Sequence, residues 1–335
     1  MRQYSSYATP TSASLGPAPG SLHWHVVGGG AIGCLWAVRL AAAGEGVTLV
    51  LRDARSVERF QSQGGVIELQ GTRLSCRLTV PVEAADATGP PLRQVLLAVK
   101  AHQCVQALAA IAPRLDAGTR LVTLQNGLGS IEEMRPLLGA AALAAGTTTE
   151  GAWRRAPFSV VQAGEGETWL GPYPAVRVPP AAPQLLASLQ RAKAQVGWDE
   201  AVLERLWLKL AVNCVVNPLT AVLGCRNGAL LEHAATRTLL ARLSAEVADI
   251  VTTAGHPPPQ PLSALVADVL ARTAANRSSM LQDLSAGRAS EVEYINGFLA
   301  TTARRLGRAA PLNAALLELI RARESLGCGP PAGAE

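Results

Sequence analysis

Lys209, Asn213 and Asn217 stand four residues apart in the stretch ERLWLKLAVNCVVNPLTAVLGCRNGAL. On a helix that spacing puts all three on one face. Trp207, Leu208, Leu210, Val212 and Val215 flank them, and polar groups buried in such company without partners are costly. The pattern points to a polar stripe facing a cleft; three separately satisfied packing residues are the alternative. Asn227, past a turn near Gly224, can join the stripe. A second set, Asn276, Ser279 (or Ser278) and Asp283, has i, i+3, i+7 spacing and so shares a helix face. Glu291 follows eight residues after Asp283. A carboxylate near an ammonium keeps it charged and oriented, which makes Glu291 a candidate partner for Lys209. The plain alternatives are Asp283 as a helix brace and Glu291 as an ordinary acid beside Glu293.

A different chemistry stands near the start of the chain. Gly28-Gly29-Gly30-Ala31-Ile32-Gly33 fits G-x-G-x-x-G, after the strand residues His25-Val26-Val27 and before an amphipathic helical pattern. Glycines there permit a tight turn, let backbone approach a pyrophosphate and allow close helix–strand packing. The helix N-terminus supplies oriented N–H groups for an anion. A dinucleotide cofactor is therefore expected. Where NAD binds, an acid about 20 residues past the glycines holds the ribose 2′-hydroxyl. Here Arg52 stands 19 residues after Gly33, with Arg55 close by. A guanidinium suits a 2′-phosphate, so NADP is expected over NAD. Asp53 lies one position on and should point away. Lys100 ends QVLLAVK and Asn126 ends LVTLQN, and strand C-termini face the ligand crevice in open α/β sheets. An exposed strand-end lysine and a plain Asn-Gly turn are the alternatives.

These residues need elements to hold them. The 335 residues allow about two domains. Nearly half are hydrophobic and 16% are charged, enough apolar material for two cores. Strand and helix patterns alternate from His23, which implies a mostly parallel sheet with helices on both faces. From Gln184 the periods are helical with no convincing strand, at roughly 184–195, 199–224, 228–254, 261–285, 288–306 and 311–325. The expected organisation is a disordered tail (1–21), a Rossmann-type α/β domain (22–197), an all-α domain (198–328) and a frayed end (329–335). A transit peptide is the rival reading of the tail. The net charge of +5 is spread along the chain; it suits an anionic small molecule, and no basic stripe marks a nucleic-acid binder. Six cysteines without C-x-x-C spacing read as reduced thiols, and no histidine stands at zinc-ligand spacing, so no metal is expected. Leu206–Cys225 is the longest apolar stretch, but Lys209, Asn213, Asn217 and Pro218 are costly in lipid. No membrane association and a cytoplasmic location are expected.

The stretches GGGAIG (28–33), VKAHQ (99–103), LQNGLGSIEEM (124–134), GTTTEGA (146–152), WLKLAVNCVVNPLTAVLGCRNGAL (207–230) and NRSSMLQDLSAGRASEVEYINGF (276–298) resemble the ketopantoate reductase family. The resemblance covers most of residues 23 to 325. It implies NADPH-dependent reduction of 2-dehydropantoate to (R)-pantoate, in pantothenate biosynthesis, by a monomer or homodimer. It also implies a C-terminal domain of the 6-phosphogluconate-dehydrogenase-like type. By the same resemblance Lys209 is the catalytic lysine and proton donor, and Glu291 is the essential glutamate. Asn126, Asn213, Asn217, Asn227, Asn276 and Ser279 match substrate contacts, with Ser279 on the carboxylate. Gly28, Gly29, Gly30, Ala31, Ile32, Gly33, Arg52, Lys100, Asn126, Ala152 and Glu291 match cofactor contacts. Arg277 stands where an apolar residue is common. A reductase of another branched 2-keto acid is the closest rival. A non-catalytic NADPH sensor would have no need of Lys209 and Glu291.

Overall fold

A computed structural model describes residues 20–71, 74–180, 182–192 and 195–327. The expectations for most of the N-terminal tail and for the C-terminal end fall outside these residues. The chain divides into two units. One holds the residues up to Gln125 together with Glu133–Val202; the other holds Asn126–Glu132 together with the residues from Leu203 onward.

The first unit is built on an eight-stranded sheet. Its strands are β1 (His23–Val27), β2 (Gly46–Leu51), β5 (Val82–Ala84), β6 (Gln94–Leu97), β7 (Arg120–Thr123), β8 (Ala142–Thr148), β11 (Glu167–Gly171) and β12 (Gln195–Trp198). The order is β12-β11-β8-β7-β6-β1-β2-β5, with β11 against β8 the one antiparallel pairing. Runs such as GVTLVL and QVLL are mostly apolar and almost wholly buried, as expected of strands covered on both faces. A second sheet, ordered β4-β3-β10-β9, is formed by β3 (Val66–Gln70), β4 (Ser75–Thr79), β9 (Gly151–Ala156) and β10 (Ser159–Gly164). Helices α1 (Ala31–Ala42), α2 (Ala54–Ser62), α3 (Cys104–Ile111) and α5 (Ala182–Arg191) complete this unit, and the short α4 (Ser130–Met134) lies at the crossover between the two units.

The second sheet corrects one expectation. The helix after the glycine turn reads as amphipathic, yet every residue of α1 from Gly33 to Leu40 is buried. It packs on β1 and β2 on one side and on β3, β9 and β10 on the other. A helix covered on both sides has no solvent face to keep polar. Its one charge inside this stretch, Arg39, is neutralised by Glu150, whose side chain is 2% exposed. β12 corrects another expectation, because no strand was foreseen beyond residue 184. Four residues containing Gly197 show no period of their own; they extend by pairing in parallel with β11. The helix read over 184–195 accordingly ends at Arg191. Trp24 Nε1 donates to Ser188 Oγ on α5 at 2.8 Å inside this core.

The second unit is helical: α6 (Val202–Leu223), α7 (Ala229–Glu232), α8 (Ala234–Thr253), α9 (Leu262–Arg272), α10 (Ser279–Ser285), a π-helical turn (Glu293–Gly297), α11 (Phe298–Arg305) and α12 (Pro311–Leu326). α6 is long and apolar enough to cross a membrane by length and composition, and most of it is buried inside the protein. Its C-terminal carbonyls, Ala221 O and Val222 O, accept from the Arg323 guanidinium of α12, a cation where the helix dipole favours one. Two helices read as continuous are broken, and a third changes its winding. His233 is extended between α7 and α8. Residues 273–278 separate α9 from α10, with the Ser278 hydroxyl capping α10 by accepting from Leu281 N at 3.1 Å. The segment after Glu291 enters its helix through the π-helical turn.

Close packing of the first turn of α1 on β1 depends on Gly33. A Cβ there would lie 1.9 Å from Gly28 O, so the turn would have to open. Gly33→Ala is expected to destabilise the protein by about 1–3 kcal/mol, the usual range for overpacking, seen as a lower Tm by circular dichroism.

Candidate active site

The glycine turn separates into two roles. Gly28 has φ +112°, open to glycine without strain. A Cβ on it would stand 2.8 Å from Val99 Cγ1, and one on Gly29 would stand 2.9 Å from Leu51 Cδ2 and Phe158 Cε1. With Gly33, these glycines are required by the protein's own packing. Gly30 is different: it has φ −78°, and the nearest atom to a Cβ there would be Ala98 O at 3.8 Å. Gly30 is also the N-cap of α1, with no side-chain cap and no acid in the first turn. A missing side chain with space to spare, at a helix N-terminus left to an outside anion, fits a dinucleotide pyrophosphate. Ala31 and Ile32 begin the helix behind it.

Arg52 immediately follows β2, with its side chain 74% exposed and Nε 2.9 Å from Asp53 Oδ2. Asp53 is the N-cap of α2 and accepts from Ser56 N at 2.7 Å and Ser56 Oγ at 2.6 Å. Those bonds, then Arg52, hold its carboxyl down at about 2. Lys100 lies three residues beyond the end of β6, at the start of a short 3₁₀ turn, not on the strand itself. Gln125, which sequence reasoning passed over, ties these strand ends together: its Nε2 donates to Leu97 O at 2.7 Å and Val99 O at 3.1 Å. Ala152 sits on β9 and packs against the core of the α/β unit.

In the helical unit, α6 carries Lys209, Asn213 and Asn217 on one face, as their spacing requires. Lys209 keeps some exposed surface, yet its ammonium is stripped of enough water that burial pulls its pKa from 10.5 down to about 8. The nearby Glu291 carboxylate opposes that fall. Glu291 is 5% exposed and is therefore not a surface acid. Its Oε2 accepts from Asn126 Nδ2 at 2.9 Å. Asn126 is placed by the turn that follows it: Gly127 has φ +84° and lies so close to Tyr294 that a Cβ would stand 2.2 Å from its carbonyl oxygen. Leu128 N donates to that same oxygen at 2.9 Å. The fold thus brings Lys209, Glu291 and Asn126 together from three separate stretches.

The second proposed stripe is reorganised. Asn276 precedes α10 and is exposed, so it shares no helix face with Ser279 and Asp283. Its carbonyl accepts from Asn227 N at 3.0 Å. Asn227 Nδ2 donates to Thr273 Oγ1 at 2.8 Å, while its Oδ1 is, among the described residues, a buried acceptor with no hydrogen-bond partner. Ser278 is committed to capping α10 and lies 2.7 Å from Thr220 Oγ1. Ser279 is half-buried at the first position of α10. Asp283 is buried and paired with Arg288 at 3.2 Å, a brace of the helix end.

Reduction of a carbonyl by hydride needs a dinucleotide cradle and, separately, an acid able to supply a proton to the oxygen. The α/β unit has the first and the helical unit has a charged candidate for the second, which sets this chain among the dinucleotide-dependent oxidoreductases. The comparisons narrow that class. Residues 24–175 match the family model described as "Ketopantoate reductase PanE/ApbA", and residues 201–324 match its C-terminal counterpart. A 2-dehydropantoate 2-reductase of Shigella flexneri is 36% identical over 316 residues, covering 91% of this chain and 98% of that protein. Among solved structures, a PanE/ApbA family ketopantoate reductase from Ralstonia eutropha superposes with a TM-score of 0.81 at 24% identity, covering 91% of this chain and 99% of that one. A D-mandelate dehydrogenase solved with NADH and anilino(oxo)acetate has a TM-score of 0.82 at 21% identity, with the same coverage. The chain belongs to the ketopantoate reductase family.

The contrast between the glycines is testable. Gly30→Ala is expected to leave Tm unchanged while weakening dinucleotide binding about tenfold or more, measured by quenching of protein fluorescence.

Proposed function

We propose that this chain is a 2-dehydropantoate 2-reductase that uses NADPH, converting the C2 ketone to the R alcohol, with Lys209 as proton donor. The observation that carries the reading is the Lys209–Glu291–Asn126 cluster, in a chain of this family. NADPH, when bound, supplies the hydride. The Gly28–Gly33 turn and the N-terminus of α1 would hold its pyrophosphate, and the exposed guanidinium of Arg52, which also pairs with Asp53, would take its 2′-phosphate while Asp53 keeps its bonds to Ser56. Lys100, Asn126, Ala152 and Glu291 stand at positions that match the family's further cofactor contacts. The substrate's carboxylate is taken by Ser279. Its hydroxyl and carbonyl oxygens are taken by the amides of Asn126, Asn213, Asn217, Asn227 and Asn276.

The ammonium of Lys209 stabilises the negative charge that develops on the C2 oxygen and passes it a proton. Its depressed pKa suits that task, because a proton held at about 8 is given up far more readily than one held at 10.5. Glu291 keeps the ammonium charged at neutral pH. The Asn126 amide holds the carboxylate in place.

The reading is tested by NADPH oxidation with 2-dehydropantoate beside pyruvate, 2-ketoisovalerate and 2-ketoisocaproate. Turnover confined to 2-dehydropantoate supports it, and turnover confined to another keto acid reassigns the substrate. Lys209 must be protonated to act, so kcat/KM for reduction is expected to fall as pH rises through about 8. In Glu291→Gln the group that raises the lysine's pKa is gone, and the same limb should move to lower pH. Lys209→Ala should cost about 10²–10⁴ in kcat, the usual worth of positioned proton transfer. Arg52→Ala should weaken NADPH about ten- to a hundredfold, from loss of a charge-assisted pair of ~1.5–3 kcal/mol, with little change for NADH. An unaltered NADPH preference in direct titration would remove Arg52 from the 2′-phosphate.

A further inference from the structure

Pro218 lies inside α6. Proline has no N–H, so the carbonyl four residues earlier loses its intrahelical donor. That carbonyl belongs to Cys214, which is fully buried. An unpaired buried carbonyl is costly. The donor that meets it is a side chain: Asn296 Nδ2 stands 3.0 Å from Cys214 O. Asn296 is fully buried and lies in the π-helical turn that follows Glu291. A π-helical turn is a local irregularity common at functional sites.

The amide is itself held. Asn296 Nδ2 also donates to Asn313 Oδ1 at 2.8 Å, and Asn313 Nδ2 donates to Glu246 Oε1 at 2.9 Å. The carboxylate of Glu246 further accepts from the backbone N–H groups of Leu312 and Asn313, at 2.9 and 2.8 Å. A carbonyl at one end and a carboxylate at the other can only accept, so both amides have one possible orientation. The chain runs from α8 through the start of α12 to the π-helical turn and ends on α6, one residue from Asn213. The same turn offers Tyr294 O to Leu128 N, and so also places the segment bearing Asn126.

We propose that Asn296 is a positioning residue for the reduction: by occupying the carbonyl that Pro218 frees, it fastens the turn behind Glu291 to the helix that carries Lys209. This rests on the reading of Lys209 as proton donor. It predicts that the proline and the asparagine act as a pair. The proline opens an acceptor on α6, and the asparagine uses it to set where the carboxylate stands.

The test separates positioning from stability. Asn296→Ala removes both the donor and the tether. Pro218→Ala/Asn296→Ala returns an N–H to the Cys214 carbonyl but not the tether, and it is compared with Pro218→Ala. Three quantities are read: Tm, NADPH affinity by fluorescence, and the pH dependence of kcat/KM. Asn296→Ala is expected to lower Tm and to reduce kcat about ten- to a hundredfold, as small misplacements in active sites do. Its alkaline limb should move to lower pH by about half a unit or more, because a displaced Glu291 no longer raises the lysine's pKa. The double variant should regain much of the Tm while its limb stays displaced relative to Pro218→Ala. NADPH affinity should hold throughout. Recovery of the limb together with Tm, or an unmoved limb in Asn296→Ala, would overturn the proposal. If Asn296→Ala does not fold, the double variant decides alone. Failure of the unmutated chain to reduce any of the keto acids would instead count against the functional reading.

Discussion

An ammonium that has lost part of its water is the constraint on which the helical unit is arranged. Lys209 sits in an apolar helix where burial works against its charge. A lysine in such a place loses its proton unless an opposite charge is brought close. Glu291 meets that requirement, and as a buried carboxylate it needs partners of its own. Asn126 is one, donating at 2.9 Å. Glu291 thus offsets the burial of Lys209, and Asn126 in turn gives the buried carboxylate a donor. The result is a lysine whose pKa is drawn from 10.5 down to about 8 while a carboxylate stands near it.

The two units reach their sites by opposite means. In the α/β unit the decisive feature is absence of side chains: glycines let strand, turn and helix approach, and Gly30 leaves room beside the helix N-terminus. The uncapped N-terminus of α1 there presents oriented N–H groups suited to an anion. In the helical unit the decisive feature is a row of polar side chains on a regular helix, with a carboxylate from a distant segment beside Lys209. The first arrangement suits a pyrophosphate of fixed shape. The second suits a small anion whose oxygens must each be distinguished.

Much of this was legible in the sequence because it depends on period or on local geometry. The i, i+4, i+8 spacing of Lys209, Asn213 and Asn217 can have only one meaning on a helix, and the glycine turn follows from its flanking strand and helix. The place of Asn276 is not legible, because the helical period runs on through residues 273–278, where Ser278 caps a new helix. The apolar run reads as a strand up to Lys100, yet the strand ends at Leu97. The burial of α1 on both sides could not be read locally. It is imposed by a sheet assembled from residues 66–79 and 151–164, and the apparent amphipathicity of the helix gave no hint of that second cover. Glu291 beside Glu293 gave no local sign of which acid is buried. That outcome depends on the π-helical turn, a feature without a sequence period. The proline in α6 was visible, but the partner for its freed carbonyl lies 82 residues away.

The placement of α1 between two sheets also bears on when the dinucleotide site comes into being during synthesis. One of its covers pairs β3 with β10 in parallel, joining residues near 70 to residues near 160. The other is part of a sheet whose far edge, β12, ends at Trp198. The pairing of β3 with β10 is long-range, and such pairings form slowly because distant segments must first meet. A nascent chain that has exposed only its glycine turn and first helix therefore has the motif without the site. The helix acquires its second wall only once β10, which ends at Gly164, has left the ribosome, and until then its apolar surface is a natural target for chaperones.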